Sequence, residues 1–507
     1  MRTLNSAKNL LSSLSITLVM VFLGFLTRKI FVDNVGVEYL GLNGLLQNIL
    51  GIMGLLEGGF ATSVVYNLYK PVAEDNRPKI IALLQLYKKV YRYIAFGIFL
   101  CGLCLFPFID YFIKDVESLS YVSIVYFIFL FNSLIQYFTA YKWAIINVSQ
   151  LNYKLTAINF TYQVGLNLAK LAILYYTQNY ILYLVVESIF GIGLNIAIVR
   201  KANQLFPYIV TRQKYQVDEA TKTNIFTNMK ALFLHSVGGY FMHSTDNIII
   251  SSFVGIGIVG LYSNYTLLLT TVGNMVMQVL NSFAESVGNL IASESSEKAY
   301  EVFRSIFLVN FLVISLPVII LYNTITPFIQ WWLGDEYLLE HAVLCIILLN
   351  FYLDKMRNSA VTFKVKSGIF VQDKYTPLLQ GIINLVLSLW LVHVWGLAGI
   401  LIATSLSILS IGFWQFPRLV YKYTFHKPLS SYFTHYFSYT AIGLAALLAS
   451  TYLCSCVTVT NLLAQAVLNG CITLSLTLFI YWICLHKTYP YQQLKNYALH
   501  LLPHRQG

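Results

Sequence analysis

Residues 235–250 read H-S-V-G-G-Y-F-M-H-S-T-D-N-I-I-I; V-G-I-G-I-V-G-L-Y-S-N-Y-T follows at 254–266, and an apolar run closes on S-F-A-E at 282–285. The stretch is apolar enough to cross a bilayer twice. It nevertheless carries His235, His243 and Asp246, and then Thr271, Asn274, Gln278, Asn281 and Glu285. Ionisable groups inside a membrane are costly and face a partner or a wet cavity. At 3.6 residues per turn, His235, Gly239, His243 and Asp246 share one helix face, and the second set shares another. Two consecutive helices with polar stripes predict the walls of a pathway. The two histidines lie two turns, about 12 Å, apart. That is too far to share a metal ion, so hydrogen-bonded lining is expected and no metal.

The rest of the chain repeats this chemistry. Its 507 residues are 57% hydrophobic and 11% charged, with a mean hydropathy of +0.67. A soluble chain would carry roughly a quarter charged residues. Apolar runs recur from residue 9 to residue 485, about fourteen in all. The expected fold is therefore all-α: a polytopic membrane protein of about 14 transmembrane helices. With the N-terminus in the cytoplasm, every Lys and Arg except Arg28, Lys29, Lys114 and Lys170 falls at the cytoplasmic ends of these runs. The net charge of +12 is thus topological. It predicts both termini inside and argues against nucleic acid as a partner. Seven cysteines, mostly in apolar runs, read as buried thiols, and Cys101-x-x-Cys104 lacks the βαβ setting of a redox pair. The first apolar run, behind Arg2 and Lys8, is too long for a signal peptide and reads as a span.

Val254-Gly255 with Gly260-Leu261 matches Val35-Gly36 with Gly41-Leu42 at identical spacing. Six spans separate the two, and an even number preserves orientation, so parallel repeats are expected. This predicts two pseudo-symmetric six-helix lobes, 1–213 and 214–427, with two extra helices and a cytoplasmic tail in 428–507. Asn43, Gln47, Gly51, Gly54 and Gly58 share a face of the second span beside Glu57, which without a partner is protonated by burial. Part of that face suits close helix packing. Asn159, Gln163, Asn167 and Lys170 stripe the fifth span, and Glu187 in the sixth could pair with Lys170. Arg28 and Lys29 read either as snorkelling at the outer interface or as an anion site at a cavity mouth. Asp354-Lys355-x-Arg357 reads as the inner interface.

No P-loop, zinc pattern or nucleophile motif is present, which argues against ATP-driven transport and against any cofactor. Amides and hydroxyls match the donors and acceptors of sugars. A pathway lined by Asn43, Gln47, Asn264, Asn274, Gln278 and Asn281, with Arg28, Lys29 or Lys170 for phosphate, suits a phosphorylated oligosaccharide. The plain alternative is that such amides only join helices.

The chain also resembles the Wzx-type polysaccharide flippases of the multidrug/oligosaccharidyl-lipid/polysaccharide exporter superfamily. The resemblance rests on G-V-E-Y-L-G-L-N-G-L from Gly36, V-V-Y-N-L-Y-K-P from Val64, S-T-D-N-I-I-I from Ser244, V-G-L-Y-S-N-Y from Val259, S-V-G-N-L from Ser286 and W-L-G-D-E-Y from Trp332. It implies two six-helix lobes around a central cavity formed largely by spans one, two, seven and eight. It also implies alternating access coupled to a proton or sodium gradient, in the bacterial cytoplasmic membrane. The substrate implied is an undecaprenyl-diphosphate-linked oligosaccharide for surface polysaccharides such as O-antigen. A polymerase and chain-length machinery are candidate partners beside membrane lipids, and the last two spans would hold the lipid tail.

The expectation is a flippase, not an enzyme, with Asp246, Glu57 and Glu285 as candidates for ion coupling. The rivals are a cation-coupled multidrug exporter of the same superfamily and a membrane-embedded polymerase or acyltransferase. An enzyme of that kind needs a catalytic group on an outer loop, where only edge residues such as His341 and His393 are available.

Overall fold

In lipid every backbone N–H and C=O must be satisfied within the protein, which leaves helices as the economical answer for these apolar runs. The computed structural model agrees: no strand occurs among the described residues. These are the backbone of 2–114, 121–369 and 371–501, with side chains over the same ranges except 2–18, 228, 230, 231, 234, 235, 243, 282, 284–286, 289, 292, 371 and 497–501.

The chain divides into two compact units, Met1–Ser263 and Asn264–Gly507. The first contains α1 (Arg2–Val35), α2 (Val37–Met53), α3 (Phe60–Ala73), α4 (Arg77–Leu105), α5 (Val122–Ile135), α6 (Ala140–Val148), α7 (Tyr153–Thr177), α8 (Tyr180–Leu205), α9 (Glu219–His243), the short α10 (Asp246–Ile249) and the first turns of α11 (Ile256–Ser293). The second contains the rest of α11, then α12 (Ser296–Trp332), α13 (His341–Met356), α14 (Asn358–Lys366), α15 (Thr376–Ser407), α16 (Phe413–Val420), α17 (Ser430–Ser455), α18 (Leu462–Leu485) and α19 (Tyr489–Leu501). Helix makes up most of each expected span over its described residues. Among the described residues eight segments are long and apolar enough to cross a membrane unaided, and the α5–α6 pair, bent by 47°, makes a ninth if counted as one broken span. The other spans fall on helices that are shorter, more polar or merged. The run Thr376–Phe425, for example, holds two spans that meet at Gly396, where φ is 53° and ψ is −129°.

The four residues that announced the repeat do two jobs. Gly36 (φ 105°, ψ 162°) is all that separates α1 from α2, and Gly255 (φ 150°, ψ 152°) stands in the same place before α11. Only glycine visits such angles without cost. Gly41 and Gly260, five residues further on, face each other. A Cβ on Gly41 would overlap the carbonyl oxygen of Ile256, and one on Gly260 would overlap that of Val37. The first turns of α2 and α11 therefore touch backbone to backbone. The same separation recurs downstream: Arg77 opens α4 as Ser296 opens α12, and Val122 opens α5 as His341 opens α13. Even the caps correspond, with Asn76 accepting from the Lys79 amide and Ser295 from the Lys298 amide.

Lipid supplies no hydrophobic drive between apolar helices, so polar contacts and close packing must hold them. In the second unit α17 and α18 are fixed to α12 in this way. The Asn323 amide donates to the Ser450 hydroxyl at 3.1 Å and the Thr473 hydroxyl at 3.2 Å, and its oxygen accepts from Thr451 at 3.0 Å. Asn469 donates to the Asn323 carbonyl at 2.9 Å, and Tyr481 donates to the Ser315 hydroxyl at 2.7 Å. In the first unit the connector before α9 is held against α4. Gln85 bonds the backbone of Gln213 and Tyr215 at 2.7 and 3.0 Å, and Asp218 caps α9 through Thr221 while meeting Lys79 at 3.1 Å. The Thr221 bonds and Lys79 hold the Asp218 carboxyl well below the usual carboxylate range.

The cysteines depart from expectation. Of the seven, only Cys454 is buried; Cys101, Cys104, Cys456, Cys471 and Cys484 are exposed. An apolar run does not distinguish a side chain turned to lipid from one turned to protein.

Substituting Gly260 with Ala should cost roughly 1–3 kcal/mol through overpacking, read as a lower unfolding temperature of the detergent-purified protein. A Cβ on Gly257 meets nothing within 4 Å. Gly257→Ala should accordingly leave the unfolding temperature unchanged or raised.

Candidate functional site

Polar side chains of the first unit gather in one layer near the end where its helices turn. Arg28 lies seven residues before the end of α1 and Lys170 seven before the end of α7; Glu187 and Ser263 lie seven after the starts of α8 and α11, and Asn43 six after that of α2. At 1.5 Å per residue, each is about 10 Å from its turn. The turns are joined as well, by Gln178 donating to the Asn34 side-chain oxygen at 2.8 Å.

Within the layer, the Arg28 guanidinium donates to the Ser263 hydroxyl at 2.5 Å, and that hydroxyl donates to the Gly260 carbonyl at 2.7 Å. The guanidinium thus rests beside the glycine crossing. The Tyr180 hydroxyl donates to Asn43. Thr27 and Asn167 meet at 3.4 Å. Lys170 donates to Glu187 at 2.8 Å and lies 4.3 Å from the centre of the Tyr183 ring. Its side chain is 12% exposed and that of Glu187 44%. The ion pair suggested by the sequence therefore exists, and its acidic member can still be reached. The layer presents a planar guanidinium, an ammonium with its counter-ion, and hydroxyl and amide groups.

The other candidates are dispersed. Lys29 turns to Asp33, one turn on in α1, at 3.5 Å and is half exposed. Gln47 is exposed one turn beyond Asn43. Glu57 ends a 3-10 turn over Gly54–Glu57, followed by Gly58 and Gly59 in left-handed conformation, so the second span is broken there. Its carboxylate lies near Tyr91, Tyr87 and Tyr137. Asp246 is 9% exposed at the start of α10, beside Tyr262. In the second unit Asn264 is fully buried, whereas Asn274, Gln278 and Asn281 are exposed along α11. The side chains of His235, His243 and Glu285 lie outside the described residues.

Two features escaped the sequence reading. Tyr180 and Tyr183, not singled out in the sequence, pack within the polar layer. The second is Asp354-Lys355-x-Arg357. Arg357 is buried among side chains, donating to Asp354 at 2.6 Å and Gln380 at 3.2 Å with its guanidinium 5.3 Å from the Phe416 ring. Lys364, also over Phe416 at 4.6 Å, is paired with the fully buried Asp373. A cation at the end of an apolar run looks the same whether it meets water or the neighbouring helices.

No protein-family model and no curated protein matches the chain. Solved structures do. Lipid II flippase MurJ in an inward closed conformation is similar at TM-score 0.65 and 14% identity, over 93% of this chain and 98% of that one. An inward-facing MATE family multidrug transporter of the MOP superfamily is similar at 0.59 and 13%, over 80% and 97%. The MATE multidrug transporter DinF-BH is similar at 0.56 and 18%, over 83% and 97%. The chain thus has the fold of the multidrug/oligosaccharidyl-lipid/polysaccharide exporters, and its neighbours are transporters and flippases rather than enzymes.

Lys170→Met leaves the Glu187 carboxylate without its counter-ion. Breaking a fully buried pair costs about 3–5 kcal/mol; with Glu187 partly exposed, roughly 1–3 kcal/mol is expected after screening. The double variant K170M/E187M should recover part of that loss, as read by thermal unfolding of all four members of the cycle.

Proposed function

We propose that the protein is a flippase for a lipid-linked oligosaccharide, carrying the headgroup across the bacterial cytoplasmic membrane while the polyprenyl tail stays in lipid. The observation that carries this reading is the extent of the structural likeness. The lipid II flippase is matched over 93% of the chain, whereas the multidrug transporters are matched over 80% and 83%. The shortfall has the size of α17 and α18, the pair bound to α12 through Asn323. The polar layer of the first unit supports the same substrate class. In this reading Arg28 takes the diphosphate by its bidentate fork. Lys170 adds a second cation, and Asn43, Tyr180 and Ser263 offer partners for sugar hydroxyls. Surface-polysaccharide repeat units, in place of lipid II, are the substrates suggested by the sequence motifs.

Transport proceeds in this reading by alternating access. Asp246 and Glu57 are the coupling candidates, since each is a carboxyl group set among apolar segments. Topology follows the charge bias, with both termini in the cytoplasm.

The test is translocation of a labelled undecaprenyl-diphosphate oligosaccharide by the pure protein in liposomes, with and without a pH gradient. Arg28→Gln should slow flipping about tenfold or more, equivalent to about 1.4 kcal/mol of lost diphosphate interaction, and leave the unfolding temperature near that of the wild type. Asp246→Asn should abolish the gradient's effect. Wild-type protein that moves a cationic dye and no lipid-linked sugar would instead establish the multidrug reading.

A further inference from the structure

Away from that layer, one group of cations in the first unit has no acidic complement. Lys142 of α6 is 5% exposed. Its ammonium donates to the Asn203 side-chain oxygen on α8 at 2.7 Å and lies 5.3 Å from the centre of the Tyr141 ring. Lys88 of α4 lies 5.5 Å from the centre of that same ring. Arg92 follows one turn later on α4, and Arg200 precedes Asn203 by one turn on α8. Among the described residues, none of these four cations meets a carboxylate. What sets the group apart is burial: six cations of the unit pair with acids at 2.6–3.9 Å, whereas Lys142 is buried with a second ammonium on the same ring. Two ammonium groups on one aromatic ring repel each other, and burying one of them without a counter-ion is costly. The arrangement calls for an anion.

The chemistry of the surroundings narrows which anion. Arg200 also lines an apolar groove of about 690 Å³ between α5 and α8, walled by Phe131, Leu134, Phe138, Ile192 and Ile196. Thr139, at the 47° bend between α5 and α6, bonds Asn195 and closes the floor of this groove. A free phosphate would satisfy the cations and leave the groove unused. A phospholipid satisfies both, with its phosphate at the basic end and an acyl chain along the aromatic wall.

We propose that the α4–α6–α8 face of the first unit is a binding site for an anionic phospholipid. Lys88, Arg92 and Arg200 contact the phosphate, buried Lys142 raises the local potential, and the α5–α8 groove seats one chain. This site is separate from the Arg28 layer and stands whether or not the protein flips oligosaccharides.

Native mass spectrometry of the full-length protein in detergent, titrated with phosphatidylglycerol or phosphatidylcholine, reads the adduct directly. The wild type should retain phosphatidylglycerol about tenfold better than phosphatidylcholine, and K88Q/R200Q should reduce that preference to less than about threefold. Lys70→Gln, an exposed cation already paired with Glu74, should leave the preference unchanged. Lys142→Gln keeps an amide that can donate to Asn203 and should also weaken it; should that variant fail to fold, the double variant at the more exposed positions carries the test. Equal retention of the two lipids by the wild type, a preference that survives in K88Q/R200Q, or displacement of the lipid by millimolar inorganic phosphate would overturn the proposal.

Discussion

The crossing of Gly41 and Gly260 is the tightest constraint in the fold. Two helix starts meet with no side chain between them, each glycine against the carbonyl of the residue that begins, or nearly begins, the opposite helix. The contact is possible only because Gly36 and Gly255 turn the chain immediately before it. The direction in which α2 and α11 leave the turns is therefore set by backbone geometry. The polar layer inherits its position from this. Ser263 is one turn beyond Gly260 and donates to its carbonyl, so the hydroxyl that receives Arg28 is placed by the crossing itself.

Electrostatic supply differs from place to place along the chain. Near the turns, charge is balanced locally: Lys29 with Asp33, and Lys170 with Glu187. In the second unit, Asp354 and Asp373 accompany Arg357 and Lys364 into the interior. On the face shared by α4, α6 and α8, by contrast, Lys142 is buried with an amide and an aromatic ring and meets no carboxylate. The proposed phospholipid would supply the charge that the neighbouring side chains do not.

Much of this was legible in the residues. The apolar runs marked where helices lie because the membrane admits so few alternatives; V-G…G-L was legible as a repeated motif, and the structure adds that its glycines make a turn and a crossing. The Lys170–Glu187 pair was legible as well, since a lone cation within a span demands an acid. What could not be read was lateral orientation. The cysteines were placed inside and are mostly exposed; Arg357 was placed at the interface and is buried among side chains. Lipid and protein interior are both apolar, so hydropathy is silent on which one a helix face meets. The merger of two spans at Gly396 and the break of the second span at Glu57 depend on backbone angles that composition does not encode uniquely. The same holds for Tyr180 and Tyr183, whose place in the polar layer follows from where α8 packs and not from their own neighbours in sequence.

The amide of Asn323 has a bearing on how such a chain can change over generations. Its side chain is satisfied by Ser450, Thr451 and Thr473, and its backbone carbonyl also takes a bond from Asn469; every one of these partners lies on α17 or α18. Remove those helices and α12 is left presenting a bare carboxamide to hydrocarbon, a surface the shorter protein would have to repair first. Acquisition of the pair is easy to imagine by small steps, each bond favourable when it formed. Loss requires several changes at once. Once the asparagine was in place, the extension had become a ratchet.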